Sequence, residues 1–562
     1  MSLKPKSSIL SLNPYIPLKE GRMNDLRLDF NENTQGASPK VIEALQTITK
    51  EELSCYPEYE DFNRALAQFW SVEKNCVLPT NGSDEAIRIL FETYVDKEEE
   101  VILLTPSYSL YAHFAQIVGA KIILVPYLED FSFPLEKVLQ AINAKTRLIA
   151  LATPNNPTGT WIDQKDVERI IKANPNMLVL LDEAYSQFAK MTHIHLIRSY
   201  SNVFITKTFS KAYGLAGLRI GALISSKENI QVLSTVLSPT YSVDRVAIVA
   251  VLAAIEDKDY YDQYIKDVII ERTWFIEEMS RLGFDLIPSV ANFVLVNFKE
   301  FAEPLRVFLE KNKILVRGLS LKGYLRITIG TKEQMQRVVE RVKFFLQAPA
   351  LIFDMDGVLI DESQSYRSCI QKTVEYFSQC KISLSTIETF KQSGGLNNDY
   401  DCTQSILSEL GVKVDFEKMK QCFDSHYEEL KYEERWLLNE EILFRIKGQF
   451  RLGIFTGRPK KEALEALKRF NKEAFFEIVI TDDDVKKRKP DPEGISIALQ
   501  HLGIKTAIYL GDTQDDYEAA KRACIDFIGV IPPKGSKETW LNKSIFLEDI
   551  CEIERTLCQK EK

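Results

Sequence analysis

The chain has 562 residues, of which 45% are hydrophobic and 27% charged, with 71 Lys and Arg against 80 Asp and Glu and a net charge of −9. That length is too great for one core, the acidic balance argues against nucleic acid as a partner, and no apolar run is long enough to span a bilayer. Five histidines leave little for a histidine-rich metal centre, and nine scattered cysteines with no C-x-x-C pair read as reduced thiols of a cytoplasmic protein.

In chain order, the opening "MSLKPKSSILSLNPYIP" has no long apolar core, so no secretory signal is expected. The apolar runs "EVILLTP", "AKIILVPY", "TRLIALATP", "MLVLLDEAY" and "NVFITKTFS" then read as buried strands, each ending in polar or turn-forming residues. Helical patterns such as "DEAIRILFETYV" and "QKDVERIIKA" lie between them. This alternation predicts an α/β fold with a mostly parallel sheet, whose ligands bind beyond the carboxyl ends of the strands. From about residue 255 the pattern turns helix-rich, and the strands of "GFDLIPSVANFVLVNF" and "YLRITIG" predict a smaller α+β domain, completed by residues 1–30 and closed near residue 347. A fresh strand, "ALIFDMDG", follows almost at once. With "RLGIFTG", "FEIVITDD" and "AIYLGDT" it predicts a second, Rossmann-like α/β core over 348–562, and a helical insertion over roughly 362–445 predicts a cap.

The polar strand ends of the first half read "TPNNPTG", "LDEAY" and "SKAYGLAGLRIG", in that order. Before them, "TNGSDEAIRIL" sets Gly82 and Ser83 at the start of a helical pattern, where free backbone N–H groups can cradle an anion. Together these motifs resemble the fold-type I aminotransferases, over about residues 10–347.

The resemblance implies pyridoxal 5'-phosphate as cofactor, bound covalently through Lys211. Asp182 matches the carboxylate that keeps the ring nitrogen protonated, and Tyr185 and Asn156 match the partners of the ring oxygen. Tyr108 matches the stacking aromatic. Ser83, Asp84, Thr208, Ser210 and Arg219 match the phosphate cup, where a guanidinium offers a permanently charged fork. Tyr56 matches a tyrosine that reaches the phosphate of a neighbouring subunit, which implies a homodimer. The stretches "LNPYIP", "LDFNENTQGASPKVIEAL" and "CYPEY" look like the histidinol-phosphate aminotransferase branch, although Thr34 and Gln35 depart from its usual proline and aromatic or leucine. In that branch Arg317 and Arg326 match the arginines that hold the anionic ends of the substrates, glutamate and a phosphorylated keto compound, and Tyr15 matches a contact to the substrate phosphate.

In the second half, "LIFDMDGVLID" puts Asp354 and Asp356 just past a buried strand, where two carboxylates are costly unless paired, protonated or metal-bound. Thr456, Lys489, Asp512 and Asp516 follow in "GIFTGRP", "KRKPDP" and "YLGDTQDD". The ordered set resembles the phosphatases of the haloacid dehalogenase superfamily, over about 350–552. The resemblance implies Asp354 as nucleophile, Asp356 as acid and base, Thr456 and Lys489 on the phosphoryl oxygens, and Mg2+ held by Asp354, Asp356, Asp512 and Asp516. Gly394, Gly395, Asn397, Asn398 and Asp399 of the cap either reach this site or form a helix-starting turn.

Two consecutive steps of histidine synthesis would make sense of the fusion. A threonine-phosphate decarboxylase relative, another phosphorylated substrate, and a regulatory second half without hydrolysis stay open at this point.

Overall fold

The computed structural model describes residues 7–10, 12, 21–237, 241–392, 398–533, 540 and 544–558. The chain divides into two units, Met1–Arg341 and Val342–Lys562, and the divide falls inside the helix Lys332–Gln347.

The first unit is built on a seven-stranded sheet. Its strand order is Val77–Thr80, Gly221–Ile224, Val203–Thr208, Leu178–Asp182, Thr146–Ala152, Glu100–Thr105 and Lys121–Pro126. Gly221–Ile224 runs antiparallel to both of its neighbours, and the remaining pairs are parallel. The Leu178–Asp182 strand is buried along its whole length, as a near-continuous apolar run covered on both faces must be, and Val203–Thr208 is equally buried although it ends in Thr206, Lys207 and Thr208. A second sheet of five strands gathers Leu26–Leu28, Ile314–Gly318, Tyr324–Thr328, Phe293–Asn297 and Asp285–Ile287. Leu26–Leu28 pairs parallel with Ile314–Gly318, so a segment from the start of the chain joins strands from the end of the unit. The residues just after it, Asp29 to Asn33, are thereby drawn against Ala212 and Thr328.

The second unit holds a six-stranded, all-parallel sheet. Its order is Ile478–Ile480, Arg451–Phe455, Ala350–Phe353, Ile508–Gly511, Asp526–Val530 and Ile545–Leu547. The first strand in sequence, Ala350–Phe353, therefore lies inside the sheet, with later strands laid down on either side of it. That is a topological switch point, where a crevice opens beyond the strand ends. The cap leaves after Ile360–Asp361 and returns through Arg435–Trp436, two short strands that pair antiparallel. Its helices, Tyr366–Ser378, Leu384–Gln392, Asp399–Glu409 and Phe416–Leu430, enclose a core of their own around Cys369, Ile406, Met419 and Phe423.

The helix Glu440–Lys447 overlaps the end of the 362–445 read from the sequence as cap, and its Leu443 and Ile446 belong to one apolar cluster with Leu351 and Phe353 of the parallel-sheet core. An amphipathic helix has the same periodicity in a cap as in a core, so pattern alone does not say which it serves.

The helix Glu493–Leu502 follows Lys489 and packs closely on Phe455, next to Thr456: a Cβ at Gly494 would lie 2.1 Å from Phe455 Cε2. Gly494→Ala should therefore destabilise the second unit by about 1–3 kcal/mol through overpacking. Denaturant unfolding of that unit checks this, and an unchanged midpoint would contradict so close an approach.

Candidate functional site

In the first unit the helix Gly82–Tyr94 presents its N-terminus to the loop after the Val203–Thr208 strand. Gly221 sits so close that a Cβ there would be 2.7 Å from Ser83 N. Arg219 spans the gap. Its Nη2 donates to Asp84 Oδ2 at 2.7 Å and its Nη1 to Ser210 Oγ at 3.4 Å. Ser210 N donates to Thr208 Oγ1 at 3.1 Å, and Tyr108 Oη donates to Asp84 Oδ1 at 2.8 Å. Gly82 has φ of +75°, and a Cβ on it would lie 2.8 Å from Arg219 Nη2. Arg219 itself has φ of 49°, a conformation uncommon outside glycine. Ser83, Asp84, Tyr108, Thr208, Ser210 and Arg219 are thus brought together by a helix end, a strand end and a strained loop, with N–H donors and a guanidinium suited to a phosphate dianion.

Asp182 ends a central strand and is 5% exposed. Its Oδ2 accepts from Tyr111 Oη at 2.6 Å, and its Oδ1 accepts from Thr206 Oγ1 at 2.8 Å and Ala184 N at 3.2 Å. Burial raises this carboxyl above its ordinary value, against the pull of those donors. Lys211 Nζ donates to the Phe30 carbonyl at 2.8 Å and lies 5.8 Å above the Tyr185 ring. Asn31 Nδ2 donates to Tyr185 Oη at 3.0 Å. Arg326 donates from Nη1 to Asn156 Oδ1 and from Nη2 to the Asp29 carbonyl, each at 2.5 Å. Burial lowers its pKa to about 10, which leaves it a cation at neutral pH. Its Nε is buried and has no partner among the described residues, so a donor remains for an incoming anion. Arg317 faces Arg326 across the strand pair and stands 5.0 Å over Phe30, exposed to solvent.

Lys211, Asp182, Tyr185, Asn156 and Arg326 therefore converge. Tyr56 is not part of this cluster. The residue is 78% exposed, and its ring packs 4.8 Å from that of Tyr241. Tyr15 lies outside the described residues.

In the second unit Asp354 follows the Ala350–Phe353 strand and is 5% exposed. Its Oδ1 accepts from Lys489 Nζ at 2.9 Å. Burial first, and then the Asp516 and Asp356 carboxylates, push Asp354 up to about 7 against the attraction of Lys489. Asp354, Asp512 and Asp516 each bring a carboxylate oxygen within 4.8 Å of the others. Burial and the two neighbouring aspartates push Asp512 well above its ordinary value. Gly357 leaves room for it, since a Cβ there would lie 2.2 Å from Asp512 Oδ2. Asp516 is differently placed. Its Oδ1 accepts from Tyr509 Oη and Lys489 Nζ, both at 2.8 Å, and its Oδ2 from Thr513 N at 3.1 Å and Thr513 Oγ1 at 2.6 Å. Both oxygens of Asp516 thus accept hydrogen bonds, and through Oδ1 it holds Lys489 beside Asp354. Thr456, buried at the end of the Arg451–Phe455 strand, accepts from Arg458 N at 3.2 Å.

Two participants escaped the sequence reading. Tyr111, three residues after Tyr108 and in the first turn of the helix Leu110–Val118, looks like a core aromatic, yet it donates to Asp182. Arg458 looks like a loop charge in "TGRP", yet it is 2% exposed and grips Asp356. Of the polar cap segment, Asn398 caps the helix Asp399–Glu409, while Gly394, Gly395 and Asn397 lie outside the described residues.

Residues 24–342 match the family described as aminotransferase class I and II, and residues 351–530 match the haloacid dehalogenase-like hydrolases. A histidinol-phosphate aminotransferase of Clostridium botulinum (strain Hall) is 32% identical over 341 residues, which span 59% of this chain and 95% of that protein. One from Acinetobacter baumannii (strain ATCC 17978) is 32% identical over 347 residues, 60% of this chain and 95% of that protein. Among solved structures, the histidinol-phosphate aminotransferase from Sinorhizobium meliloti in complex with pyridoxal-5'-phosphate superposes with a TM-score of 0.56 at 24% identity, over 61% of this chain and 98% of that one, a likeness of fold.

The donors around Gly82 and Arg219, the buried Asp182 and the amine of Lys211 fit pyridoxal phosphate. Gly82→Ala would put a methyl against Arg219 in a backbone conformation unfavourable to alanine, and should weaken cofactor binding by about tenfold or more. Titration of the apoprotein with pyridoxal phosphate checks this, and unaltered affinity would contradict the assignment of the cradle.

Proposed function

Because the chain belongs to the class I and II aminotransferases and carries a haloacid dehalogenase-like hydrolase behind that domain, we propose that it is a bifunctional enzyme of histidine biosynthesis. The first half transfers the amino group of glutamate to imidazole acetol phosphate, giving histidinol phosphate and 2-oxoglutarate. The second half hydrolyses histidinol phosphate to histidinol and inorganic phosphate. What carries the reading is one chain that joins an aminotransferase similar to histidinol-phosphate aminotransferases along 95% of their length to a hydrolase with a full set of phosphatase motif residues.

Pyridoxal phosphate, when bound, supplies the electron sink for the exchange of amino groups. In this reading Lys211 Nζ holds the cofactor and moves the substrate proton, and Asp182 keeps the ring nitrogen protonated. Tyr185 and Asn156 orient the ring oxygen, and Tyr108 covers the ring. Ser83, Asp84, Thr208, Ser210 and Arg219 hold the phosphate. Tyr56, exposed on this chain, reaches the phosphate of a second copy in a homodimer. Arg326 takes the substrate carboxylate through its fork, and Arg317, with Tyr15, takes the second anionic end.

In the hydrolase, a carboxylate oxygen of Asp354 bonds to phosphorus while the ester oxygen leaves with its electron pair and takes a proton from Asp356. Water then attacks phosphorus and gives a proton to Asp356, and the bond to Asp354 breaks to release phosphate. Thr456 and Lys489 hold phosphoryl oxygens, and Lys489 offsets the crowded carboxylates. Asp354, Asp512 and the Asp356 carbonyl, with Asp516 behind them, would hold Mg2+, which would neutralise developing charge.

With purified protein, Mg2+ and histidinol phosphate, and no keto acid, inorganic phosphate should be released. Asp354→Asn should cut the rate by at least about 10³-fold, and chelation of Mg2+ should abolish it. No release, alongside working transamination of the same compound with 2-oxoglutarate, would overturn the phosphatase assignment and leave the aminotransferase one standing.

A further inference from the structure

In the second unit one guanidinium holds two carboxylates of different segments. Arg458 Nε donates to Asp356 Oδ1 at 2.9 Å and Oδ2 at 3.1 Å, and its Nη2 also donates to Asp356 Oδ1. The same Nη2 donates to Glu434 Oε1 at 3.0 Å, and Nη1 donates to Tyr427 Oη at 3.2 Å and Glu434 Oε2 at 3.3 Å. The guanidinium lies 4.9 Å over the Tyr366 ring, which stacks on Tyr427 at 4.6 Å. Glu434 is itself buried and also accepts from Ser365 Oγ at 3.1 Å and from Arg469. Ser365 and Tyr366 stand where the chain enters the cap, and Tyr427 and Glu434 where it leaves, all between the paired strands Ile360–Asp361 and Arg435–Trp436.

Resting on the reading of Asp356 as the acid and base of a phosphatase, we propose that Arg458 is the positioning residue for that carboxylate and that Glu434 anchors it, so that the cap's two crossing segments set where Asp356 points. A carboxylate of intermediate exposure, two residues past the nucleophile, has χ1 and χ2 free to turn toward solvent. The Arg458 fork removes that freedom, and the fork is itself fixed by Glu434, Tyr427 and Tyr366, so little ordering is left for the moment of reaction. The grip is uneven. Oδ1 takes two donors and Oδ2 only the longer contact, which leaves Oδ2 the less engaged oxygen, with a lone pair to carry the proton.

A proton donor matters when the leaving group is a poor one and little when it is a good one. The test compares kcat/KM for histidinol phosphate, an alkyl ester, with kcat/KM for p-nitrophenyl phosphate. The ratio does not depend on how much of a variant folds, because both substrates meet the same active molecules. Arg458→Met should lower kcat/KM for the alkyl ester by about 10²-fold or more and for the aryl ester by less than about fivefold, with Arg458→Lys intermediate. Glu434→Gln should move the ratio the same way by about tenfold, and the double variant should be no worse than Arg458→Met alone, since the two act through one chain of contacts. Equal losses on both esters, or a rise in KM with kcat retained, would overturn the inference. Asp356→Asn separates this from failure of the underlying reading. If it leaves the ratio unmoved, Asp356 is not the acid. If it moves the ratio and Arg458→Met does not, the inference about Arg458 alone fails.

Discussion

A carboxylate placed at the end of a buried parallel strand is the constraint on which both halves of this chain depend. Asp182 and Asp354 each end an apolar strand in the interior of a sheet, and each is 5% exposed. A charge there is costly unless donors or cations answer it. Asp182 is answered by Tyr111, Thr206 and the Ala184 N–H. Asp354 is answered by Lys489, which Asp516 holds from the other side. The strand order decides where each carboxylate lies, and the loops after neighbouring strands decide what can reach it.

The two centres handle charge in opposite ways. Around Gly82 the fold collects N–H groups, hydroxyls and the Arg219 guanidinium, a setting for an anion. Around Asp354 it collects carboxylates, a setting for a cation and for chemistry that needs a nucleophile and an acid side by side. Glycines at Gly82 and Gly357 make both possible, because a side chain at either would occupy space that Arg219 or Asp512 fills.

Much of this was legible in the sequence because parallel strands buried on both faces read as apolar runs that end in polar residues. "VFITKT" and "LIF" announce themselves in this way, and so do Lys211, Asp182 and Asp354 beyond their ends. Gly221–Ile224 was not legible, since four residues inside a glycine-rich motif carry no alternation and its antiparallel direction comes from its partners. Leu26–Leu28 depends on pairing with Ile314–Gly318, far along the chain, which no local pattern reveals. Arg458 was passed over for a related reason. A charge in a turn reads as solvated until folding brings Glu434 and Tyr427 of the cap onto it.

The central claim is that one phosphorylated substrate is first aminated and then dephosphorylated by the same chain. Phosphorus NMR on the intact protein with Mg2+, pyridoxal phosphate and imidazole acetol phosphate tests it most directly. Without glutamate, the signal of the keto ester should persist. On addition of glutamate, it should give way to inorganic phosphate as histidinol forms. Phosphate released equally fast without glutamate, or histidinol phosphate that accumulates without being hydrolysed, would contradict the account.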